Sequence, residues 1–152
     1  MNEPVATTPL KLLAKDAEDI AVVAAVLQDS IAPVCDMVYR AHERDFIMVV
    51  HRFRWDCAEG AGQGTVPPPD CCFERVCCAV YVQGVAGAQL HGFAQAEQGR
   101  MLDLLTVSLE KDGLLLVFAG DARIKLALDG WRLMLEDFGE PWPTHRQPCH
   151  AT

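Results

Sequence analysis

A chain of 152 residues with 51% apolar side chains fits one domain, long enough to bury a well-filled core. Thirteen basic against twenty-one acidic side chains give a net charge of −8, which opposes broad contact with nucleic acid or anionic lipid. No apolar run approaches the roughly 18 residues that span a bilayer, and the first residues lack the basic-then-apolar layout of a secretory signal, so a cytoplasmic protein with neither nucleic-acid nor membrane partners is expected.

Residues 1–9, broken by Pro4 and Pro9, read as a flexible leader. Leu10, Leu12 and Leu13 predict a short strand ending near Ala14. Asp16 is then placed to cap a helix over 17–30, with Glu18 and Asp19 in the first turn, where negative charge suits the helix dipole. Ile20, Val23, Ala24 and Leu27 recur at three- and four-residue steps and mark its apolar face. Beyond Pro33 the period becomes two. Residues 34–41 and 46–55 read as strands of a hairpin that reverses at His42–Asp45. Residues 56–70, with three glycines and Pro67-Pro68-Pro69, form a long loop. A strand over 71–82 is followed by a soft stretch to about Arg100. Segments 102–109, 114–119 and 123–128 then make an antiparallel meander, its turns at Lys111-Asp112-Gly113 and Gly120-Asp121. Asp129 is placed to cap a closing helix with Trp131, Met134, Leu135 and Phe138 on its apolar face, stopped by Gly139, Pro141 and Pro143.

The sum predicts an α+β domain over residues 10–140, with about seven mostly antiparallel strands, one N-terminal helix and one C-terminal helix. A sandwich or partly open barrel fits that order. By topological analogy, so does a pleckstrin-homology-like roll with the same strand count and closing helix. Residues 141–152 are expected to extend from it as a C-terminal arm.

Seven cysteines, an odd number without a secretory signal, read as thiols in a reducing compartment. Cys71, Cys72, Cys77 and Cys78 fall on one predicted strand, where alternation divides them between two faces. Thiols six residues apart on a strand lie ~20 Å from each other, too far to share a zinc ion bonded at about 2.3 Å. Packing as small apolar residues or surface thiols is the first reading of these cysteines, and a metal or thiol function is the alternative. No G-x-S-x-G elbow, P-loop or G-x-G-x-x-G occurs, and no cofactor is expected.

A second constellation is His51-Arg52-Phe53-Arg54-Trp55 with Phe73-Glu74-Arg75. Alternation sets Arg52 and Arg54 on one face and His51, Phe53 and Trp55 on the other. Glu74 is positioned to pair with Arg52 or Arg54, while Arg75 lies on the reverse side. Two readings follow: cross-strand ion pairs over a Trp-Phe core, or an anion pocket or recognition surface with an aromatic anchor. Trp142 in the terminal segment has the same two readings, as part of a tail docked on its own domain or of an arm for a partner.

Several blocks appear together in one order: Leu10-Lys11-Leu12-Leu13-Ala14 with Asp16-Ala17-Glu18-Asp19, Arg52-Phe53-Arg54-Trp55, and Phe73-Glu74-Arg75-Val76. Leu104-Leu105, Val117-Phe118-Ala119-Gly120 and Glu136-Asp137-Phe138-Gly139 with Pro141-Trp142 follow. The set resembles a family of small bacterial proteins, mainly alphaproteobacterial, known as domain of unknown function 2948. The likeness spans about residues 10 to 150 and departs in the 56–70 loop and in the wealth of cysteine. The resemblance implies a cytoplasmic bacterial protein and carries no established activity with it.

The functional expectation is a non-catalytic binding or adaptor domain, monomeric or homodimeric, that engages a protein or small ligand. Arg52, Arg54, Trp55, Glu74, Arg75 and Trp142 are its candidate binding residues. The alternatives are a thiol- or metal-dependent function at the cysteine cluster, and an enzyme whose site assembles from scattered residues.

Overall fold

The computed structural model describes residues 9–54, 73–111 and 113–144. Its elements in chain order are β1 (Lys11–Ala14), α1 (Ala17–Leu27), β2 (Ser30–Pro33), a single 3-10 turn (Val34–Asp36), β3 (Met37–Arg40) and β4 (Asp45–Phe53). They continue with β5 (Phe73–His91), β6 (Met101–Glu110), β7 (Gly113–Phe118) and β8 (Arg123–Thr144).

All the pairings are antiparallel, and they run β8–β5–β4–β2–β6–β7, with β7 returning to β8. The ring therefore closes as a six-stranded barrel, with β1 added beside β8 and β3 beside β4. Closure gives each of the six ring strands a neighbour on both sides, with the narrowest seam at β2 and β4, which meet at Ile31 and His51. Alternation fills the interior. Met48 and Val50, Val80 and Val82, Leu114 and Leu116, and Ile124, Leu126, Leu133 and Leu135 are all buried in one cluster.

The helix α1 begins as expected: the Asp16 carboxylate accepts the Asp19 N–H at 2.9 Å, and Asp19 in turn accepts the Lys15 N–H at 3.0 Å. Ile20, Val23 and Leu27 are buried, and the helix packs mainly against β6. It ends at Leu27, three residues earlier than the pattern predicted. Asp29 turns the chain with φ +64°, and its N–H donates to the Leu104 carbonyl. Ser30 can then start β2 alongside β6.

The expected α+β class with two helices and about seven strands is corrected to a closed barrel with two outside strands and one α-helix among the described residues. The predicted closing helix is the second half of β8, so the pleckstrin-homology-like analogy loses its closing element. Leu133, Leu135 and Asp137 are buried there, while Met134, Glu136 and Phe138 face out, a period of two. The apolar residues at 131, 134, 135 and 138 satisfy a helical spacing. They adopt a strand because β5 pairs with this segment on one edge and β1 on the other, and that context overrides local propensity.

Two further elements differ from expectation. β5 does not stop near residue 82 but continues to His91, and β2 had no predicted counterpart. Gly84 and Gly87 look like strand breakers in the sequence, yet here the register shifts occur between Gln83 and Val85 and between Val85 and Gly87 within one continuous strand. Residues 1–8 of the expected leader, the loop at 56–70 and residues 145–152 of the expected arm lie outside the described residues. No described helix is long and apolar enough to cross a membrane.

Candidate binding surface

The two faces of β4, β5 and β8 hold different chemistry. On the inward face, Arg52 forms a two-pronged ion pair with Asp137: Nε donates to Oδ1 at 2.9 Å and Nη2 to Oδ2 at 2.7 Å. Both side chains are more than nine-tenths buried. The Leu10 N–H donates to Asp137 Oδ2 at 3.0 Å, and the Asp137 N–H donates to the Leu10 carbonyl, so this carboxylate also holds the start of β1. Burial pushes the Asp137 carboxyl up, but the Arg52 guanidinium and the Leu10 N–H outweigh it and hold the group below its ordinary range. Arg54 is also buried, and its Nη1 donates to Glu74 Oε1 at 2.7 Å. Cys78, opposite Asp137 in the sheet, has its thiol pushed up to about 12 by burial and by the Asp137 charge. A thiol in that state is a packing group at neutral pH.

The outward face carries an apolar row. Strand register sets Leu13, Met134, Tyr81, Ile47 and Val38 in one row across β1, β8, β5, β4 and β3. Directly opposed residues on neighbouring strands share a face, so the row is continuous. Beside it runs Lys11, Glu136, Ala79 and Val49, and then Phe138, Cys77 and His51. Leu13 is 43% and Met134 36% exposed and the two are direct cross-strand neighbours, while Phe138, 47% exposed, lies two rows along β8. Lys11, Leu13, Ala79, Tyr81, Met134 and Glu136 line a groove of about 440 Å³ there.

Two polar networks border this face. At one side the Tyr81 hydroxyl donates to Asp45 Oδ2 at 2.8 Å, and Arg40 donates to both oxygens of that carboxylate at 2.8 and 2.6 Å. Arg40 holds Asp45 below its usual range against the upward push of burial, and Tyr81 adds to the effect. At the other side Arg75 lies with its guanidinium carbon 5.7 Å from the centre of the Phe53 ring. Its Nη1 donates to the His51 carbonyl at 2.9 Å and to the Asp29 carbonyl at 3.3 Å. Burial lowers the Arg75 pKa, against the upward pull of Asp103 and Asp29. Trp142, paired with Arg75 in register, meets His51 edge-to-face with ring centres 5.3 Å apart.

The expected binding residues therefore divide between two places. Arg52, Arg54 and Glu74 lie in the inward ion pairs, Arg75 and Trp142 stand together at the margin of the outer face, and Trp55 lies outside the described residues. Of the cysteines, Cys77 faces out and half-buried, Cys78 faces in, and Cys71 and Cys72 lie outside the described residues. Among the described residues no group of three or more His, Cys, Asp or Glu side chains is arranged to hold a metal ion. Sequence reasoning missed Asp137 as the partner of Arg52, and Leu13, Tyr81, Met134 and Phe138 as residues of one face. A period of two over 133–138 was the available signal.

No curated protein and no solved structure matches the chain. A family model does match, over residues 10–150, and its description is Protein of unknown function (DUF2948). The match takes in the inward ion pairs and every row of the outer face, and the chain belongs to that family.

Proposed function

We propose that this protein is a non-catalytic binding domain of the bacterial cytoplasm, and that it docks a protein partner on the outer face of β1, β8, β5 and β4. The observation that carries the reading is the row of Leu13, Met134 and Tyr81, with Phe138 two rows along β8. Interface centres are enriched in aromatic residues and Met, and their rims carry polar groups. This face has that layout, with Trp142 and Arg75 at one margin and the Tyr81–Asp45–Arg40 network at the other. Lys11 and Glu136, directly opposed, and Arg132 are exposed charges of both signs on the same side of the sheet, so the partner segment is expected to bring apolar side chains flanked by polar groups. The inward ionisable groups support the non-catalytic part, because Arg52–Asp137 and Arg54–Glu74 are held as ion pairs and Cys78 as a thiol. Free thiols at Cys35, Cys77 and Cys78 suit a reducing compartment.

The test is site-specific photocrosslinking in cells, with the reactive side chain at position 13 or 134 and a control at exposed Lys125. One shared adduct from the two face positions, missing from the control and lost with Phe138→Glu, is the expected result. No adduct at either face position, or the same adduct from the control, would overturn the reading.

A further inference from the structure

A second concavity lies between β3, the end of β5 and the loop at 92–100, and touches the outer row only at Val38. Met37, Phe46 and Phe93 are its buried floor, Ala88 forms a wall, and Tyr39 and Gln95 stand at the mouth. The volume is about 180 Å³, and no Asp, Glu, Lys, Arg or His lines it. An apolar cavity of about 150 Å³ takes up benzene, so the space suits one ring with a small substituent and is too small for a nucleotide or a flavin.

The pocket is preformed. The loop is tied by the Ala94 N–H to Glu97 Oε1 at 2.9 Å and by Arg100 Nη1 to Glu97 Oε2 at 3.0 Å. Gln95 Nε2 donates to the Met37 carbonyl at 3.0 Å, which fixes the loop to β3 and leaves the amide oxygen as an acceptor. Phe93 is set edge-to-face on Phe118, with ring centres 6.3 Å apart. An uncharged space walled by aromatic rings, with a phenol and an amide oxygen at its mouth, selects a neutral aromatic ring carrying one donor group.

We propose that this pocket binds a small, neutral, single-ring aromatic molecule, with the ring against Phe46 and Phe93 and its polar substituent at Tyr39 and Gln95. The site shares no residue with the groove of the protein-docking face.

The probe is phenol, titrated into the 15N-labelled full chain and followed by amide chemical shifts. Saturable shifts confined to residues around Met37, Phe93 and Gln95 are expected, together with at least about tenfold weaker binding of cyclohexane. Ala88→Phe, which places a ring in the space, should abolish the shifts. Should that variant fail to fold, Leu90→Trp, at a half-buried residue that also lines the space, serves the same purpose. Met134→Glu on the outer face should leave phenol binding unchanged. Absence of saturation, equal binding of cyclohexane, or shifts that survive in the folded blocked variant would each overturn the proposal.

Discussion

Arg52 and Asp137 show how a buried charge is kept in a small barrel. Each ion gives up its hydration, and two aligned hydrogen bonds with a third from Leu10 replace it. Removing one partner strands the other, so Asp137→Asn should destabilise the fold by about 3–5 kcal/mol in chemical denaturation. Replacing both, as Arg52→Met with Asp137→Leu, should recover most of that loss, because no uncompensated charge remains. The pH dependence has a defined sign. The folded-state pKa of Asp137 is depressed, so its contribution is fully present above the unfolded value of about 3.9 and is lost as pH falls through the folded value. Asp45 acts in the same direction through Arg40. The wild-type protein should therefore lose stability below about pH 4, and Asp137→Asn should show a shallower acid limb from Asp45 and the remaining carboxylates. An unchanged acid limb in the variant would mean that the pair is not formed in solution.

At the scale of elements, the two longest strands bend together. Gly84 in β5 has φ +77°, and Gly130 in β8 has φ +62°. A Cβ at Gly84 would sit 2.7 Å from the carbonyl oxygens of Asp129 and Gly130, whereas one at Gly130 would meet nothing within 4 Å. Gly130→Ala should therefore cost only the left-handed backbone penalty of about 1–2 kcal/mol, and Gly84→Ala should cost clearly more, since backbone atoms of the partner strand must move. Equal losses in thermal melts of the two variants would remove the paired bend as a determinant of the fold. The same glycines explain what the sequence left hidden. Gly84 and Gly87 punctuate a strand without ending it, and only the β8 partner reveals them as bulges. Met134, Leu135 and Phe138 fit a helix locally, and their outward or inward placement depends on β1 and β5, residues some 50 to 120 positions away in the chain. The Asp16 cap and the alternation of Arg52 and Arg54 are short-range features, and those were legible. The outer face, assembled from four strands distant in sequence, was not.

The whole molecule is a closed ring with two added strands, and closure should divide its stability unevenly. Residues 123–127 of β8 are paired on both edges, with β7 on one side and β5 on the other. Breaking that ladder opens the ring and exposes Ile124 and Leu126, both fully buried. β1 is different. It is four residues long and pairs with β8 on one edge, and Lys11 and Leu13 on it are exposed. Its release uncovers little beyond Leu12, Ala14 and the Asp137 contacts of Leu10. Local opening free energies follow the apolar area and ladder lost in each event. Native-state hydrogen exchange should therefore show the amides of β1 exchanging at least about ten times faster than those of Ile124 and Leu126, which should open only with global unfolding. Asp137→Asn should narrow that gap, because amides that open only globally feel the whole loss of stability and the locally opening strand feels at most the same loss. If β1 exchanges as slowly as the β7–β8 seam, then the strand is part of the cooperative unit. The groove it shares with Met134 and Tyr81 would then be as rigid as the barrel wall, favouring docking without rearrangement of that edge.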